Sequence, residues 1–154
     1  MELKNNIFEI DYNSLIEQGY KIFLFDFDNT LNKWRNSSIS NETIQLFENL
    51  KSKNVHVFIV SNGKPRKLNY NVEALWLARK PLIFKVKRFL KFKKLDKEKK
   101  VVIGDQIFTD IIFGKLLGAY TIKVQPIDTS KEFIITKLLR FFEKILLKIL
   151  KNVI

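Results

Sequence analysis

Residues 20–30 read YKIFLFDFDNT, an apolar run that ends in two aspartates. Apart from Lys21, the residues before Asp26 are all apolar or aromatic, which is typical of a central strand covered by helices on both faces. Asp26 and Asp28 stand two positions apart, and Phe27 between them points the other way because side chains alternate along an extended chain. The run therefore predicts a buried strand whose carboxyl end presents two carboxylates.

Further short apolar runs alternate with segments of helical periodicity along the rest of the chain. They predict strands at 55–60, 101–103 and 119–124, and a short strand at 74–78. Helices are expected at about 41–52, with Asn41 as the N-cap, and at about 64–71, 82–95, 106–117 and 131–151. Strands that alternate with helices form parallel sheets, and no linker-like segment interrupts them. We therefore expect one α/β domain over residues 1–154 with a mostly parallel central sheet.

The composition limits the chemistry that the protein can perform. Among its 154 residues there is no cysteine and one histidine, His56, which excludes a disulfide framework and a thiolate metal site and argues against a Ser-His-Asp triad. Chemistry must then rely on carboxylates, hydroxyls and lysines. The net charge of +12 indicates an anionic partner, such as a phosphate ester, a nucleic acid or an anionic membrane surface.

The positive charge is concentrated in two segments. Residues 79–100 carry 11 basic and two acidic side chains, and residues 131–154 carry six and two. The second segment predicts a basic amphipathic helix at about 131–151. Its cations recur at spacings of three and four: Lys137, Arg140, Lys144, Lys148 and Lys151. The broad apolar face of this helix either packs on the sheet or lies in the interface of an anionic membrane, and the pattern leaves both readings open.

The start of the chain does not read as a secretory signal, because the charged residues Glu2, Lys4, Glu9 and Asp11 interrupt it. No uncharged run reaches the roughly 18 residues of a membrane span. We therefore expect a cytoplasmic protein, with peripheral contact to an anionic membrane as the alternative for the last helix. Nothing in the chain matches a nucleic-acid-binding motif, so a nucleic-acid partner is not expected.

Acidic residues follow two of the predicted strands, at the ends where open parallel sheets bind ligands. Asp26 and Asp28 follow the first strand, and Asp105 and Asp110 follow Gly104 at the end of a later one. Two aspartates after a strand also occur as a simple turn, but the second acidic pair favours a site. Converging aspartates repel one another unless a cation lies among them, and oxygen ligands without histidine or cysteine favour Mg²⁺.

The same acids suggest a phosphoryl-transfer reaction. One carboxylate could attack phosphorus and form an aspartyl-phosphate, while a second protonates the leaving oxygen and later activates a water. A lysine and a hydroxyl in the same pocket would hold the phosphoryl oxygens. Lys80 and Ser61, which lie just past predicted strands, are the candidates for these two groups.

These residues resemble the motifs of the haloacid-dehalogenase-like (HAD) phosphatases, and most of all those of the YqeG-type IIIA branch, to which a mitochondrial phosphatidylglycerophosphatase is related. The matching segments are DFDNTL at 26–31, SNG at 61–63, ARKP at 78–81, GDQIFTD at 104–110 and TKLLRFFEKILLKIL at 136–150. The resemblance implies a three-layer Rossmann-like sandwich without a large cap domain. It also implies a Mg²⁺-dependent phosphatase whose substrate is phosphatidylglycerophosphate or, alternatively, a small soluble phosphate ester.

The resemblance also implies a role for each matching residue. Asp26 is the nucleophile and Asp28 the general acid and base. The Mg²⁺ ligands are Asp26, the backbone carbonyl of Asp28, and Asp105. The implied phosphate-binding residues are Ser61, Asn62 and Lys80, and the supporting residues are Thr30 and Asp110.

The chain departs from the family pattern after the second motif. Gly63 stands where the branch usually has a second asparagine, and the segment before Lys80 matches less closely, which leaves Lys85 as an alternative phosphoryl-binding lysine. A non-enzymatic basic RNA-binding module with a vestigial pocket is the competing interpretation. The motif residues are intact, which argues against it: Asp26, Asp28, Lys80 and Asp105.

Overall fold

Six strands form one sheet in the computed structural model of the chain, which describes residues 1–130 and 134–153 apart from the side chains of residues 134, 135, 150 and 153. The strands are β1 (Glu2–Lys4), β2 (Tyr20–Phe25), β3 (His56–Val60), β4 (Glu73–Leu75), β5 (Lys99–Gly104) and β6 (Tyr120–Val124). Their order across the sheet is β1-β6-β5-β2-β3-β4, and every neighbouring pair is parallel. The expected parallel α/β sheet is confirmed.

Five α-helices accompany the sheet in the described part of the chain. They are α1 (Tyr12–Glu17), α2 (Asn41–Ser52), α3 (Phe84–Phe92), α4 (Ile112–Leu116) and α5 (Ile134–Val153). A 3₁₀ turn, Ile7–Glu9, precedes α1, and a π-helical turn, Ile107–Ile111, leads into α4. The longest connections in the described part of the chain are residues 26–40, between β2 and α2, and residues 61–72, between β3 and β4.

The sheet separates two hydrophobic cores, which makes the fold a three-layer sandwich. Alternate residues of β2 face opposite sides: Phe23 and Phe25 lie in the core shared with α1 and α2, while Ile22 and Leu24 lie in the core shared with α3 and α4. All four side chains are at most 1% exposed, as expected for a central strand covered on both faces. The Rossmann-like three-layer arrangement expected from the sequence is confirmed.

The position of β2 in the sheet determines where the candidate functional residues lie. It lies between β5 and β3, so the chain leaves β2 toward one edge of the sheet and later returns to build the other edge. In such sheets the crevice at the carboxyl ends of the strands, where the order reverses, is the ligand site. Residues following β2, β3 and β5 meet there.

Several local predictions differ from the structure. Residues 64–71 form no helix, because their side chains bond distant partners: that of Asn69 bonds the backbone N–H and carbonyl of Ile39, and that of Arg66 bonds Asp28. The N-cap of α2 is Ser40 and not Asn41, since the Ser40 hydroxyl accepts the N–H of Thr43 at 3.2 Å. The sequence interpretation also missed β1 and α1.

The last helix exposes most of those apolar side chains that the structure describes. The expected helix at about 131–151 is present as α5, although residues 131–133 lie outside the described residues. Arg140 differs from the other regularly spaced cations of this helix, because it is buried against Asp105 while Lys137, Lys144, Lys148 and Lys151 are exposed. Six large apolar residues of α5 are also exposed: Leu138, Phe141, Phe142, Ile145, Leu146 and Ile149. None of the described helices combines the length and the apolar character needed to cross a bilayer.

Candidate active site

Three aspartates converge at the carboxyl edge of the sheet. Asp26 follows β2 directly, and Asp105 and Asp110 follow β5 and lie in or beside the π-helical turn. One carboxylate oxygen from each lies within 4.8 Å of the others. The Thr30 hydroxyl links two of them, since its Oγ1 lies 3.3 Å from both Asp26 Oδ2 and Asp105 Oδ1. The predicted meeting of Asp26 and Asp105 at one edge is therefore observed, and Asp110 lies in the same cluster.

Lys80 lies between two of the acids. Its Nζ donates hydrogen bonds of 2.6 Å to Asp26 Oδ1 and to Asp110 Oδ1, and its side chain is 2% exposed. Burial opposes the charge of this lysine, but the carboxylates of Asp110 and Asp26 outweigh burial and raise its pKa. Burial and the neighbouring Asp110 raise the pKa of Asp26 well above its usual range, although Lys80 acts in the opposite direction.

Asp105 forms an ion pair with a different side chain, Arg140. Arg140 of α5 donates to Asp105 Oδ2, and both side chains are almost fully buried. Burial and the charge of Asp110 raise the pKa of Asp105 to about 6, while Arg140 opposes this shift. An ordinary aspartate has a pKa near 3.9, so the cluster as a whole resists full ionisation when no further cation is present.

The residues after β3 hold Lys80 in place. Asn62 accepts the backbone N–H of Lys80 at 2.7 Å through Oδ1 and donates to the Lys80 carbonyl at 3.0 Å through Nδ2. Ser61 is buried, and its hydroxyl accepts the N–H of Gly63 at 3.0 Å. The structure places Lys80 in the cluster, whereas the ammonium of Lys85 donates to the carbonyls of Trp76 and Leu77 outside it.

Asp28 points toward a different partner. Its two carboxylate oxygens accept from Arg66, with Nη1 at 2.8 Å from Oδ1 and Nη2 at 2.6 Å from Oδ2. The Arg35 backbone N–H donates to Asp28 Oδ1 at 2.8 Å. A Cβ at Gly63 would lie 2.7 Å from Arg66 Nη2 and 3.3 Å from Asp28 Oδ2. The glycine that departs from the family pattern thus leaves the space that the Arg66–Asp28 pair occupies.

Sequence reasoning missed three residues that shape the site. Arg66 was one cation in a segment predicted to be helical, and Arg140 was one of several cations on an amphipathic helix, so neither carried a local signal. Asn29 adopts a left-handed conformation, with φ of 62°, and turns the chain after Asp28. The Asn29 carbonyl and side chain accept the N–H groups of Ile127 and Asp128, which ties this turn to the loop after β6.

The cluster lines an open cavity of about 810 Å³. Its acids offer only oxygen donors, and their mutual repulsion is relieved by a cation, so Asp26, Asp105 and Asp110 fit a hard divalent ion. Cationic side chains also line the cavity, including Lys80, Arg66 and Arg140. An acidic cluster beside fixed cations can hold a metal and an anionic group next to a nucleophile.

This parallel sheet and the acids at its carboxyl edge are the arrangement that the resemblance to the HAD-like phosphatases predicts. Residues 3–127 match the family described as Mitochondrial PGP phosphatase. The chain is also 37% identical over 156 residues to a protein named Probable phosphatase YqeG from Bacillus subtilis (strain 168), covering 98% of this chain and 90% of the relative. The chain belongs to this family of HAD-like phosphatases, and it is a phosphoric monoester hydrolase, as the sequence predicted.

One solved structure supports the fold independently of the sequence. The crystal structure of an uncharacterized protein from Listeria monocytogenes serotype 4b aligns with a TM-score of 0.54. The alignment covers 74% of this chain and 86% of the other, at 15% sequence identity. At this identity the likeness concerns the fold alone.

Proposed function

We propose that the protein is a Mg²⁺-dependent phosphatase that hydrolyses phosphatidylglycerophosphate through an aspartyl-phosphate on Asp26. The observation that supports this reaction best is the meeting of Asp26, Asp105 and Asp110 within 4.8 Å of one another beside Lys80. A bound Mg²⁺ would neutralise charge on the nucleophile and on the phosphoryl group as they approach each other. Asp26, Asp105 and the backbone carbonyl of Asp28 remain the predicted ligands, and the convergence adds Asp110 as a further candidate.

The remaining roles in the reaction are assigned to side chains of the protein. An oxygen of Asp26 attacks phosphorus, a P–O bond to Asp26 forms, and the P–O bond to the leaving alcohol breaks. Asp28 gives a proton to that leaving oxygen and then takes one from the water that attacks the aspartyl-phosphate, so that phosphate is released and Asp26 is restored. Lys80, together with the hydroxyl of Ser61 and the amide of Asn62, holds the phosphoryl oxygens.

Arg66 acts in this scheme as a positioning residue. Its planar guanidinium bonds both oxygens of Asp28 and packs over the Phe27 and Trp76 rings, at 5.2 and 5.6 Å from their centroids. A bidentate pair of this kind fixes the orientation of a carboxylate, which a lysine could not do. Arg66 therefore fixes the orientation of Asp28 in its charged form, which takes the proton of the attacking water; before Asp28 gives a proton to the leaving oxygen, one of the two hydrogen bonds to Arg66 must open.

Two features support a phospholipid as the substrate. The matching family is described as a mitochondrial PGP phosphatase. Helix α5 also turns charged residues, Arg140 and Glu143, toward the domain and leaves apolar residues exposed beside Lys144 and Lys148. An apolar face bordered by lysines suits the interface of an anionic membrane, where this helix would bring the cavity close to a lipid headgroup.

A substrate screen tests the proposal. Phosphate release from phosphatidylglycerophosphate in anionic vesicles, from glycerol 3-phosphate and from p-nitrophenyl phosphate is measured with Mg²⁺ and with EDTA. We expect turnover only with Mg²⁺, highest on the lipid, and none in Asp26→Asn. Asp96→Asn, which changes an exposed aspartate remote from the cluster, is the matched control. Turnover that survives EDTA or Asp26→Asn would contradict the mechanism, and a preference for the soluble esters would contradict the lipid substrate.

A further inference from the structure

A second cavity adjoins the catalytic one. It has a volume of about 850 Å³ and lies beyond the carboxyl end of β6, between the loop 125–130 and helix α5. Arg140 lines both cavities, so they share a wall. The reaction described above uses no other residue of this second cavity.

A buried lysine faces the second cavity. Lys123, near the end of β6, is 6% exposed and lines the cavity. Among the described residues, its ammonium has one hydrogen bond, 3.4 Å long, to the carbonyl of Val124, and it has no carboxylate within 4.0 Å. Burial lowers the pKa of Lys123, although Glu143 and Asp105 partly oppose this. With no carboxylate this close in the described part of the chain, burial of this ammonium is costly, so an anionic ligand at this position would stabilise it.

The other cations of this cavity reinforce the positive charge. Lys137 and Lys144, on α5, are exposed and line the same space. The two acids of the cavity already accept backbone N–H groups: Glu143 those of Ile107 and Phe108, and Asp128 that of Ser130. The cavity therefore combines one buried ammonium and two exposed ones, which is the chemistry that binds a phosphate group.

We propose that Lys123, Lys137 and Lys144 form a second phosphate-binding site, which takes the phosphodiester group of a substrate whose phosphomonoester lies at Asp26. This inference rests on the proposed function and extends it, because phosphatidylglycerophosphate carries one phosphate of each kind. Arg140 lines both cavities, so the two sites adjoin each other, and a substrate that uses both must extend past this side chain. The site would select a substrate with two phosphates over a lipid with a single phosphomonoester.

A matched pair of substrates tests this selection. Dihexanoyl phosphatidylglycerophosphate and dihexanoyl phosphatidic acid have the same acyl chains but two phosphates and one, and both are assayed as monomers below their micelle concentrations, so membrane binding plays no part. We expect Lys123→Met to lower the ratio of kcat/KM for the two substrates about tenfold, through KM, as the loss of one charged contact to a phosphate would. The double variant Lys137→Ala with Lys144→Ala, which changes exposed residues only, should lower the ratio in the same direction.

Two controls separate this effect from general damage. Lys100→Met removes another lysine with little exposure, whose ammonium bonds the carbonyls of Asp96 and Glu98 at the opposite end of β5, and should leave the ratio unchanged. Lys148→Ala removes an exposed lysine of α5 that does not line the cavity, and it should also leave the ratio of kcat/KM for the two substrates unchanged. An unchanged ratio in Lys123→Met and in the double variant, or an equal change in Lys100→Met, would overturn the second site.

A binding measurement decides the question even if the wild type does not hydrolyse phosphatidylglycerophosphate, a result that would refute the proposed substrate. Calorimetric titration of the full chain with inorganic phosphate should show two sites in the wild type and one in Lys123→Met. A single site in the wild type, or two sites retained in the variant, would overturn the second site whatever the substrate is.

Discussion

Gly63→Ala separates the role of Arg66 from the stability of the fold. The added methyl would lie 2.7 Å from Arg66 Nη2, 3.2 Å from Ser61 Oγ and 3.3 Å from Asp28 Oδ2. The shortest contact is with the tip of a flexible side chain, so Arg66 can move away while the backbone stays in place. The substitution should therefore open the bidentate pair between Arg66 and Asp28.

The expected magnitudes differ for folding and for catalysis. The free energy of unfolding should change by about 1 kcal/mol or less, because a movable side-chain tip relieves the overlap and alanine restricts the unfolded chain more than glycine does. Catalysis should suffer more, because a hydrogen bond to a charged group contributes about 1.5–3 kcal/mol and a displaced acid loses its alignment with the leaving group. We expect kcat to fall roughly 10- to 100-fold.

The assay combines kinetics with a double-mutant cycle. Phosphate release with Mg²⁺ gives kcat for Gly63→Ala, Arg66→Ala and the double variant, and urea unfolding gives their stabilities. If the methyl acts by displacing Arg66, the double variant should be no slower than Arg66→Ala alone. Arg66→Lys should also be slow, because lysine cannot bond both oxygens of Asp28, whereas Lys67→Ala changes an exposed neighbour and should not matter. A Gly63→Ala enzyme as fast as the wild type, or additive losses in the double variant, would refute the role of Arg66.

Three further predictions follow from the cluster. Lys80→Met leaves the carboxylates of Asp26 and Asp110 without their cation. The free energy of unfolding of the metal-free protein in urea should therefore fall by about 3–5 kcal/mol. An unchanged unfolding midpoint would contradict the pairing. Because the folded-state pKa of Asp105 is raised to about 6, its contribution to stability is present below about pH 4 and lost as the pH rises through about 6. Urea midpoints of the metal-free protein should thus fall over this window by up to about 3 kcal/mol relative to Asp105→Asn, and a rise would contradict the sign. Gly104→Ala places a methyl against Asp110. The free energy of unfolding should fall by about 1–3 kcal/mol, and both the melting temperature and kcat should be lower. Wild-type values for both would contradict the packing.

Local patterns were sufficient to predict the central strands. The run before Asp26 is apolar on both faces apart from Lys21, and its short length and aromatic content favour a strand inside a covered sheet over a buried helix. The segment 64–71 was predicted incorrectly because its polar side chains bond distant partners: Arg66 bonds Asp28, and Asn69 bonds Ile39. Contacts across 30 or more residues leave no periodic trace in the sequence.

The sequence predicted the acidic residues of the site but not which cations pair with them. The acids stand directly after strands, so the topology alone brings Asp26 and Asp105 to one edge, and the sequence anticipated this. The choice of Lys80 over Lys85 depended on which ammonium reaches the cluster, which is decided by the bonds between Asn62 and the Lys80 backbone. The cation that pairs with Asp105 comes from α5, and no pattern in the sequence identifies Arg140 among the other cations of that helix.

The central claim is that Asp26 and Asp105 hold one Mg²⁺ while Asp26 carries the phosphoryl group. A crystal structure of the full chain grown with Mg²⁺ and beryllium fluoride, which mimics a phosphoryl group on a carboxylate, tests both parts at once. The account predicts beryllium bonded to an oxygen of Asp26 and one Mg²⁺ about 2.0–2.1 Å from oxygens of Asp26 and Asp105. Beryllium fluoride on a different residue, or an ion that touches neither aspartate, would contradict it.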